Sequence, residues 1–168
     1  MNSYMGLLIG DVLQDIFPEI SEELKQKLIA EIIEKERKSL LENGGTLYEG
    51  VQETLEELSK NHQLFIVSNA LDGYIQAFLD YFKFNDFFRD FESHGKTGRN
   101  KAENIALVMS RNELKNSETV YVGDTQTDYL SATENELDFI FCNYGFGKLE
   151  EFNKSLKIKQ ITELLNLV

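Results

Sequence analysis

Two carboxylates stand four residues apart at the end of a short apolar run in the second half of the chain. The run Thr119-Val120-Tyr121-Val122 is rich in β-branched and aromatic residues, and Gly123 and Asp124 follow it directly. Such a run predicts a strand that is covered on both faces, and ligand crevices in open α/β sheets lie at the carboxyl ends of strands. Asp128 falls one turn further on, so both carboxylates can face one point. Two oxygen ligands at one point suit Mg²⁺, with waters and a phosphate completing its shell.

Three further polar residues stand at the ends or starts of predicted elements. Ser68 and Asn69 end an apolar run, and Lys101 opens a helix after a glycine-containing loop. In a parallel sheet these positions share the carboxyl edge with Asp124 and Asp128. There, Ser68 and Asn69 would bind phosphoryl oxygens, and Lys101 would neutralise charge on the phosphate and a neighbouring carboxylate.

Each of these residues also has a purely structural interpretation. Asp124, Asp128, Ser68 and Asn69 are residue types that commonly form turns and helix caps, and Lys101 read alone is an ordinary surface lysine. The combination of all of them in this order is more specific than any single member.

The elements that must position these residues follow from hydrophobic spacing. Residues 1–50 predict a helical hairpin, with a short helix ending near Pro18 and a longer one capped by Ser21 and stopped by Asn43-Gly44-Gly45. After Gly50, apolar strands alternate with amphipathic helices. Strands are predicted at 63–67, near 89–93 (with a short helix just before), at 119–122 and at 138–142, and a loop at 94–100. This alternation predicts an α/β fold with a parallel sheet.

Composition narrows the classes of partner. The chain has 168 residues, is 42% hydrophobic and carries a net charge of −12. Acidic character argues against nucleic acid or an anionic membrane surface as the main partner. Cys142 lies in an apolar run and is expected to be a core residue. The N-terminus shows no signal-peptide pattern, and no apolar run approaches the ~20 residues of a membrane span. A cytoplasmic protein is the expectation.

Three segments resemble motifs of the haloacid dehalogenase-like hydrolases, in their phosphoglycolate phosphatase-like branch. These segments are Ile66-Val67-Ser68-Asn69, Lys101-Ala102-Glu103-Asn104-Ile105 and Val122-Gly123-Asp124-Thr125-Gln126-Thr127-Asp128, similar to the second, third and fourth motifs of that family. The resemblance implies a Rossmann-like parallel sheet core flanked by helices over 46–168, and a partial helical cap over 1–45. It further implies a Mg²⁺-dependent phosphate-monoester phosphatase. Ser68 and Lys101 would be catalytic, Ser68, Asn69 and Lys101 would bind the substrate phosphate, and Asp124 and Asp128 would hold the metal.

One part of the family pattern is not found. The family's nucleophile is the first aspartate of an Asp-x-Asp motif at the end of the first strand, and no Asp-x-Asp precedes Ser68. Asp11 is the nearest candidate, but Leu13 occupies the partner position. In the family that first strand lies between the strands ending at Ser68 and Val122, so a gap in the sheet is expected. Either the natural protein is longer, or another chain or an N-terminal rearrangement fills the gap, or the fragment is poorly stable.

Two functional hypotheses follow. The first is a phosphatase of a small phosphorylated metabolite, impaired in these 168 residues and with Mg²⁺ binding weakened by the missing motif. The alternative is a non-catalytic binding module of the same fold, or an N-terminally truncated fragment. Neither hypothesis involves nucleic acid or a membrane, and either admits self-association or a second chain in the sheet gap.

Overall fold

The computed structural model describes residues 4, 6–148 and 156–168, and the account below refers to them. Seven α-helices and five strands lie in these ranges. The helices are α1 Ile9–Ile16, α2 Glu22–Asn43, α3 Val51–Ser59, α4 Tyr74–Phe82, α5 His94–Thr97, α6 Lys101–Arg111 and α7 Gln126–Glu134. The strands are β1 Leu64–Ser68, β2 Phe88–Ser93, β3 Val120–Gly123, β4 Asp138–Cys142 and β5 Leu156–Ile158. None of the helices in the described ranges combines the length and apolar character that crossing a bilayer requires.

The strands form two sheets, and the strands within each sheet are parallel. One sheet consists of β1 and β2, and the other has the order β3-β4-β5. The predicted α/β class with parallel strands and flanking helices is therefore confirmed. The family resemblance placed a gap between β1 and β3, and these are the two strands that belong to different sheets here.

Three apolar clusters cover the two faces of the sheets. On one face, Ile105 and Met109 of α6 and Ala132 of α7 pack with Phe139 and Phe141 of β4. On the other face, Leu58 of α3 packs against Ile140, Cys142 and Ile158 of the larger sheet. A third cluster joins α3 and α4 to β1 and β2, and it is largely aromatic. Helices on both faces explain why the strands read as continuous apolar runs rather than alternating ones.

Helix α2 is fixed at both ends by the residues that its sequence predicts. The Ser21 hydroxyl accepts a hydrogen bond from the Leu24 amide, which satisfies one free donor of the first turn. Gly44 ends the helix at a φ of 62°, and a Cβ at that position would lie 2.0 Å from the Tyr81 ring. Glycine is thus required both by the backbone and by the packing of α4 against this end.

An ion-pair network fixes α6 against β2. Arg111, in the last turn of α6, donates to both carboxylate oxygens of Asp90 and to Glu92. Burial by itself raises the pKa of Asp90, but hydrogen bonds from Asn112 and Arg111 outweigh it and hold that pKa below its usual value. Because Lys101 opens the same helix, this network helps to fix the position of a predicted site residue.

Two sequence-based expectations were wrong in detail. The loop predicted over 94–100 contains helix α5, because the Ser93 hydroxyl accepts from the Lys96 amide and Gly98 closes the turn at a φ of 70°. The short helix predicted before β2 is a turn. The hairpin and the remaining helices and strands lie where the sequence predicted them, to within about two residues.

Phe84 is the centre of the aromatic cluster and is only 1% exposed. Its ring contacts those of Phe78, Phe82 and Phe87. We expect Phe84→Ala to lower the free energy of unfolding by about 3–5 kcal/mol, because it leaves a cavity that these rings cannot fill. Urea unfolding measures the loss. Phe146→Ala, at a position 52% exposed, is the control and should cost much less; equal losses would contradict the assignment of this core.

Candidate functional site

Lys101 and Asp128 form a buried ion pair at the carboxyl edge of the sheets. The Lys101 ammonium, Nζ, donates to Oδ1 of Asp128, and each side chain is only 7% exposed. The lysine stands at the first residue of α6 and the aspartate in the first turn of α7, 27 residues apart in sequence. A buried charge is costly unless it is paired with an opposite charge. The pair therefore fixes the start of α6 and the start of α7 relative to each other.

The second oxygen of Asp128 organises the loop that leads into α7. Oδ2 accepts from the amides of Asp124 and Thr125, at 3.1 and 3.0 Å, and from the Thr125 hydroxyl at 2.8 Å. The Thr125 hydroxyl in turn accepts from the Asp128 amide, which makes Thr125 and Asp128 a capping box. With Lys101 on Oδ1, four donors surround this carboxylate, which leaves it little capacity for a further direct ligand.

Asp124 is held by the turn that follows β4. Its Oδ2 accepts from the Phe146 amide at 2.7 Å. A Cβ on Gly145 would lie 2.3 Å from this carboxylate, and one on Gly147 would lie 2.0 Å from the Asp124 carbonyl oxygen. The two glycines therefore allow the turn to approach the acid. Within the described ranges Oδ1 receives no hydrogen bond, so Asp124 retains an open oxygen.

Ser68 and Asn69 lie at the end of β1, which belongs to the two-stranded sheet, whereas Asp124 follows β3 of the three-stranded sheet. The Ser68 hydroxyl accepts from the Ala70 amide at 3.1 Å. The Asn69 amide nitrogen donates to the Gly6 carbonyl at 2.8 Å, and its Oδ1 is buried with no partner among the described residues. Gly6 also lies against Thr125, because a Cβ there would come within 2.9 Å of the threonine methyl group. Gly6 thus connects the two strand ends.

Tyr121 makes a second connection between the two strand ends. Its hydroxyl donates to the Val67 carbonyl at 3.0 Å. Burial, and then the neighbouring Asp128 carboxylate, raise the pKa of Tyr121 well above its usual value, so the hydroxyl stays protonated and available as a donor. Sequence reasoning placed Tyr121 only as a strand residue.

A crevice of about 270 Å³ opens beside this cluster. Asn69, Lys101 and Thr127 line it, together with Gly6 and Asp11 from the N-terminal segment. Asp11 shares this crevice without a hydrogen bond to Lys101 or Asn69 in the described ranges. The phosphate-binding and catalytic roles predicted for Ser68, Asn69 and Lys101 remain predictions, but the residues do lie at one edge.

The side chains at this edge could supply one carboxylate ligand to a divalent cation, but not a complete coordination shell. Among the described residues no three His, Cys, Asp or Glu side chains converge on a point. Mg²⁺ commonly takes one or two carboxylates and completes its shell with water and phosphate. Asp124 matches that pattern through its open oxygen, whereas Asp128 already accepts from four donors. Asp124 is therefore the residue that would hold the ion, with Asp128 fixing the loop behind it.

Signals in the sequence could have identified some of the supporting residues. Thr125, three residues before an aspartate at a helix start, has the spacing of a capping box. The paired glycines 145 and 147 indicate a close approach of backbone to another group. Gly6 and the Phe146 amide carry no such signal, because their roles depend on contacts between distant parts of the chain.

Residues 1–142 match the family model described as haloacid dehalogenase-like hydrolase. A phosphoglycolate phosphatase from Vibrio vulnificus is 27% identical over 157 residues, which cover 88% of this chain and 68% of that protein. Another, from Pseudomonas fluorescens, is 26% identical over 104 residues, which cover 60% of this chain but only 38% of the relative. A haloacid dehalogenase-like family hydrolase from Streptococcus pneumoniae has a similar fold, with a TM-score of 0.79 at 20% identity over 99% of this chain and 79% of its own.

The buried pair should show strong energetic coupling. We expect Asp128→Asn to lower the free energy of unfolding by about 3–5 kcal/mol, because it leaves the Lys101 ammonium without its counter-charge. Lys101→Met should cost less, since three donors remain on Asp128. The double variant should lose less than the sum of the two. Urea unfolding of all four proteins gives the coupling energy.

The exposed pair Lys115 and Glu118 serves as the matched control. Its side chains are 70% and 65% exposed, so the cycle Lys115→Met with Glu118→Gln should give a coupling below about 1 kcal/mol. A coupling for Lys101 and Asp128 no larger than this control would show that the buried pair does not organise the site.

Proposed function

This chain belongs to the haloacid dehalogenase-like hydrolase family, and we propose that it provides the phosphate- and cation-binding part of a phosphate-monoester hydrolase. The observation that supports this most directly is the contrast between two neighbouring acids. Asp128 accepts from four donors, among them Lys101, whereas Asp124 accepts from one donor, at Oδ2, among the described residues. A fixed loop presenting one free carboxylate oxygen suits a cation that also binds a phosphate.

We propose a distinct role for each residue at this edge. Asp124 holds Mg²⁺ through its open oxygen, and Asp128 fixes the loop that carries it. Lys101, which opens α6, places positive charge next to the bound phosphate, and Ser68 and Asn69 bind phosphoryl oxygens from the β1 side. The ion, when bound, withdraws charge from the phosphoryl group. Fixed donors and positive charge of this kind stabilise a transition state that accumulates negative charge.

The substrate is proposed to be a small phosphorylated metabolite, with phosphoglycolate as the first compound to test. The curated relatives are named phosphoglycolate phosphatases, which favours a hydrolase over a non-catalytic module. Because the chain spans only part of their length, this choice rests on the relatives and not on a substrate pocket. A cytoplasmic location remains a prediction, and so does the lack of nucleic-acid or membrane partners, which is expected from the acidic composition.

The covalent step requires a nucleophile that these residues do not supply in the family's pattern. The sequence contains no Asp-x-Asp motif, and an aspartyl nucleophile forms the covalent intermediate in enzymes of this type. We therefore propose that the 168 residues bind phosphate and cation but turn over little or no substrate by themselves.

The cation role of Asp124 can be tested without any turnover. We expect Asp124→Asn to weaken Mn²⁺ binding, measured by the loss of free-ion signal in electron paramagnetic resonance, by about tenfold or more. Asp138→Asn removes the same charge from an exposed position on β4 and should leave the affinity unchanged. Equal losses in the two variants would assign the effect to net charge and contradict a ligand role for Asp124.

Turnover is tested by phosphate release from an aryl phosphate in the presence of Mg²⁺. Residues 1–168 should release phosphate no faster than their Lys101→Ala variant, because the nucleophile is lacking. A longer polypeptide that includes an Asp-x-Asp motif upstream should hydrolyse the compound and lose that activity on Asp124→Asn. Clear turnover by residues 1–168 would contradict the need for an added nucleophile, and an inactive longer polypeptide would contradict the phosphatase assignment.

A further inference from the structure

The connection between β2 and α6, residues 94–100, lies between two groups that are proposed to bind phosphate. It begins after the end of β2, where Ser93 is paired with Ser68 of β1. It ends at the residue before Lys101, the first residue of α6. The contacts that fix this connection therefore also fix Lys101 relative to the β1 side of the site.

The first half of the connection is held against the loop that follows β1. The Gly95 amide donates to the Ala70 carbonyl at 3.0 Å. A Cβ on Gly95 would lie 2.1 Å from the Asp72 amide nitrogen, so the close approach of these two backbones requires glycine. Because Ala70 directly follows Ser68 and Asn69, this contact ties the connection to the residues that end β1.

The second half of the connection is held by a buried network around Asn104, which lies one turn into α6. The Asn104 side chain is completely buried. Its Oδ1 accepts from the Thr97 hydroxyl at 2.8 Å, and its Nδ2 donates to the Arg99 carbonyl at 3.2 Å. The Thr97 hydroxyl in turn accepts from the Arg99 amide at 3.1 Å. Since a buried polar group is costly without a partner, this network strongly favours one arrangement of the connection on α6.

The same network extends back to the end of β2. His94 Nδ1 lies 2.8 Å from the Arg99 carbonyl oxygen, and because a carbonyl can only accept, this nitrogen carries a proton. The Thr97 hydroxyl also lies 3.1 Å from the Ser93 carbonyl. Lys101, which is 7% exposed, thus stands between segments that are hydrogen-bonded to each other.

We propose that Thr97 and Asn104 are positioning residues, which fix Lys101 relative to Ser68 so that both can bind one phosphate. This inference rests on the proposed function, in which Ser68 and Lys101 contact the phosphate. Groups that bind a ligand must be held to within about 0.5 Å of the productive geometry, and a fully bonded buried network is rigid enough to do so. Loss of the Thr97 hydroxyl leaves Asn104 Oδ1 without its donor and frees the start of α6 to shift.

Two substitutions at Thr97 separate the hydroxyl from the shape of the side chain. Thr97→Val keeps the shape and removes the hydroxyl, whereas Thr97→Ser keeps the hydroxyl. We expect Thr97→Val to weaken the binding of inorganic phosphate, measured by titration calorimetry in the presence of Mg²⁺, by about tenfold or more. Thr97→Ser should change this affinity by less than about twofold. Asn104→Ala removes the partner on α6 and should reproduce the loss.

The ammonium group of Lys101 gives a second measurement, which does not depend on phosphate. The protons of a buried, hydrogen-bonded group exchange slowly with water. Lys101 should therefore give a sharp signal in a nitrogen–proton correlation spectrum selective for lysine side chains, identified by its loss in Lys101→Met. We expect this signal to shift or broaden in Thr97→Val and to stay unchanged in Thr97→Ser.

Leu164→Ala is the control for general destabilisation. Leu164 is buried in the cluster that joins α3 to β4 and β5. Its truncation should lower the midpoint of thermal unfolding, because it leaves a cavity. Both the phosphate affinity and the Lys101 signal should stay as they are in the unsubstituted chain.

Three results would overturn the proposal. An unchanged Lys101 signal in Thr97→Val would show that the hydroxyl network does not position the lysine, and so would the lack of a sharp signal in the unsubstituted chain. Equal losses in Leu164→Ala would assign the effect to general destabilisation. Failure of the unsubstituted chain to bind phosphate would instead contradict the proposed function, and the ammonium signal would still decide whether the network positions Lys101.

Discussion

The buried ion pair between Lys101 and Asp128 is the interaction on which the rest of the site depends. It joins the first residue of α6 to the first turn of α7, so two helix starts that are distant in sequence share one position. A buried pair contributes little net stability compared with well-packed apolar residues, but breaking it is expensive. Its effect is therefore to make one arrangement of the two helices far more favourable than any arrangement that separates the charges.

The same ion pair gives the two aspartates of the loop, Asp124 and Asp128, different roles. Because Lys101 and three loop donors satisfy Asp128, this carboxylate acts as the fixed point around which the backbone of 124–128 is folded. Asp124 is then held from the other side by the turn after β4, through the Phe146 amide. The outcome is one open oxygen with a fixed direction, which is the property that a cation ligand needs.

The division of the sheet is the second constraint that shapes the molecule. Helices on both faces and the Tyr121 hydroxyl bridge hold β1 beside β3, yet the backbone edges of these strands remain unpaired. Side-chain packing and a single side-chain hydrogen bond can align two strands, but they cannot replace a ladder, in which every second residue contributes its own pair of bonds. Asn69, whose Oδ1 is buried without a partner in the described residues, lies at the same boundary.

Local patterns in the sequence determined most of the elements and several of the site residues. Apolar runs, the Ser21 cap and the glycine stops are local signals, and the helices and strands they predicted are present. Ser68, Lys101 and Asp124 were predicted as site residues because residues that end parallel strands or open the next helix meet at one edge. Helix α5 was missed because its cap, Ser93, belongs to the preceding strand.

Only the tertiary structure determines which contacts, and therefore which role, each of these residues has. The sequence could not assign different roles to Asp124 and Asp128, because the donors that fill Asp128 include a lysine 27 residues away. Nor could it show that Gly6 and Tyr121 connect the ends of β1 and β3. The positions of helices and strands can be predicted from the pattern of neighbouring residues, whereas hydrogen-bond saturation depends on which distant groups folding brings within about 3 Å of each other.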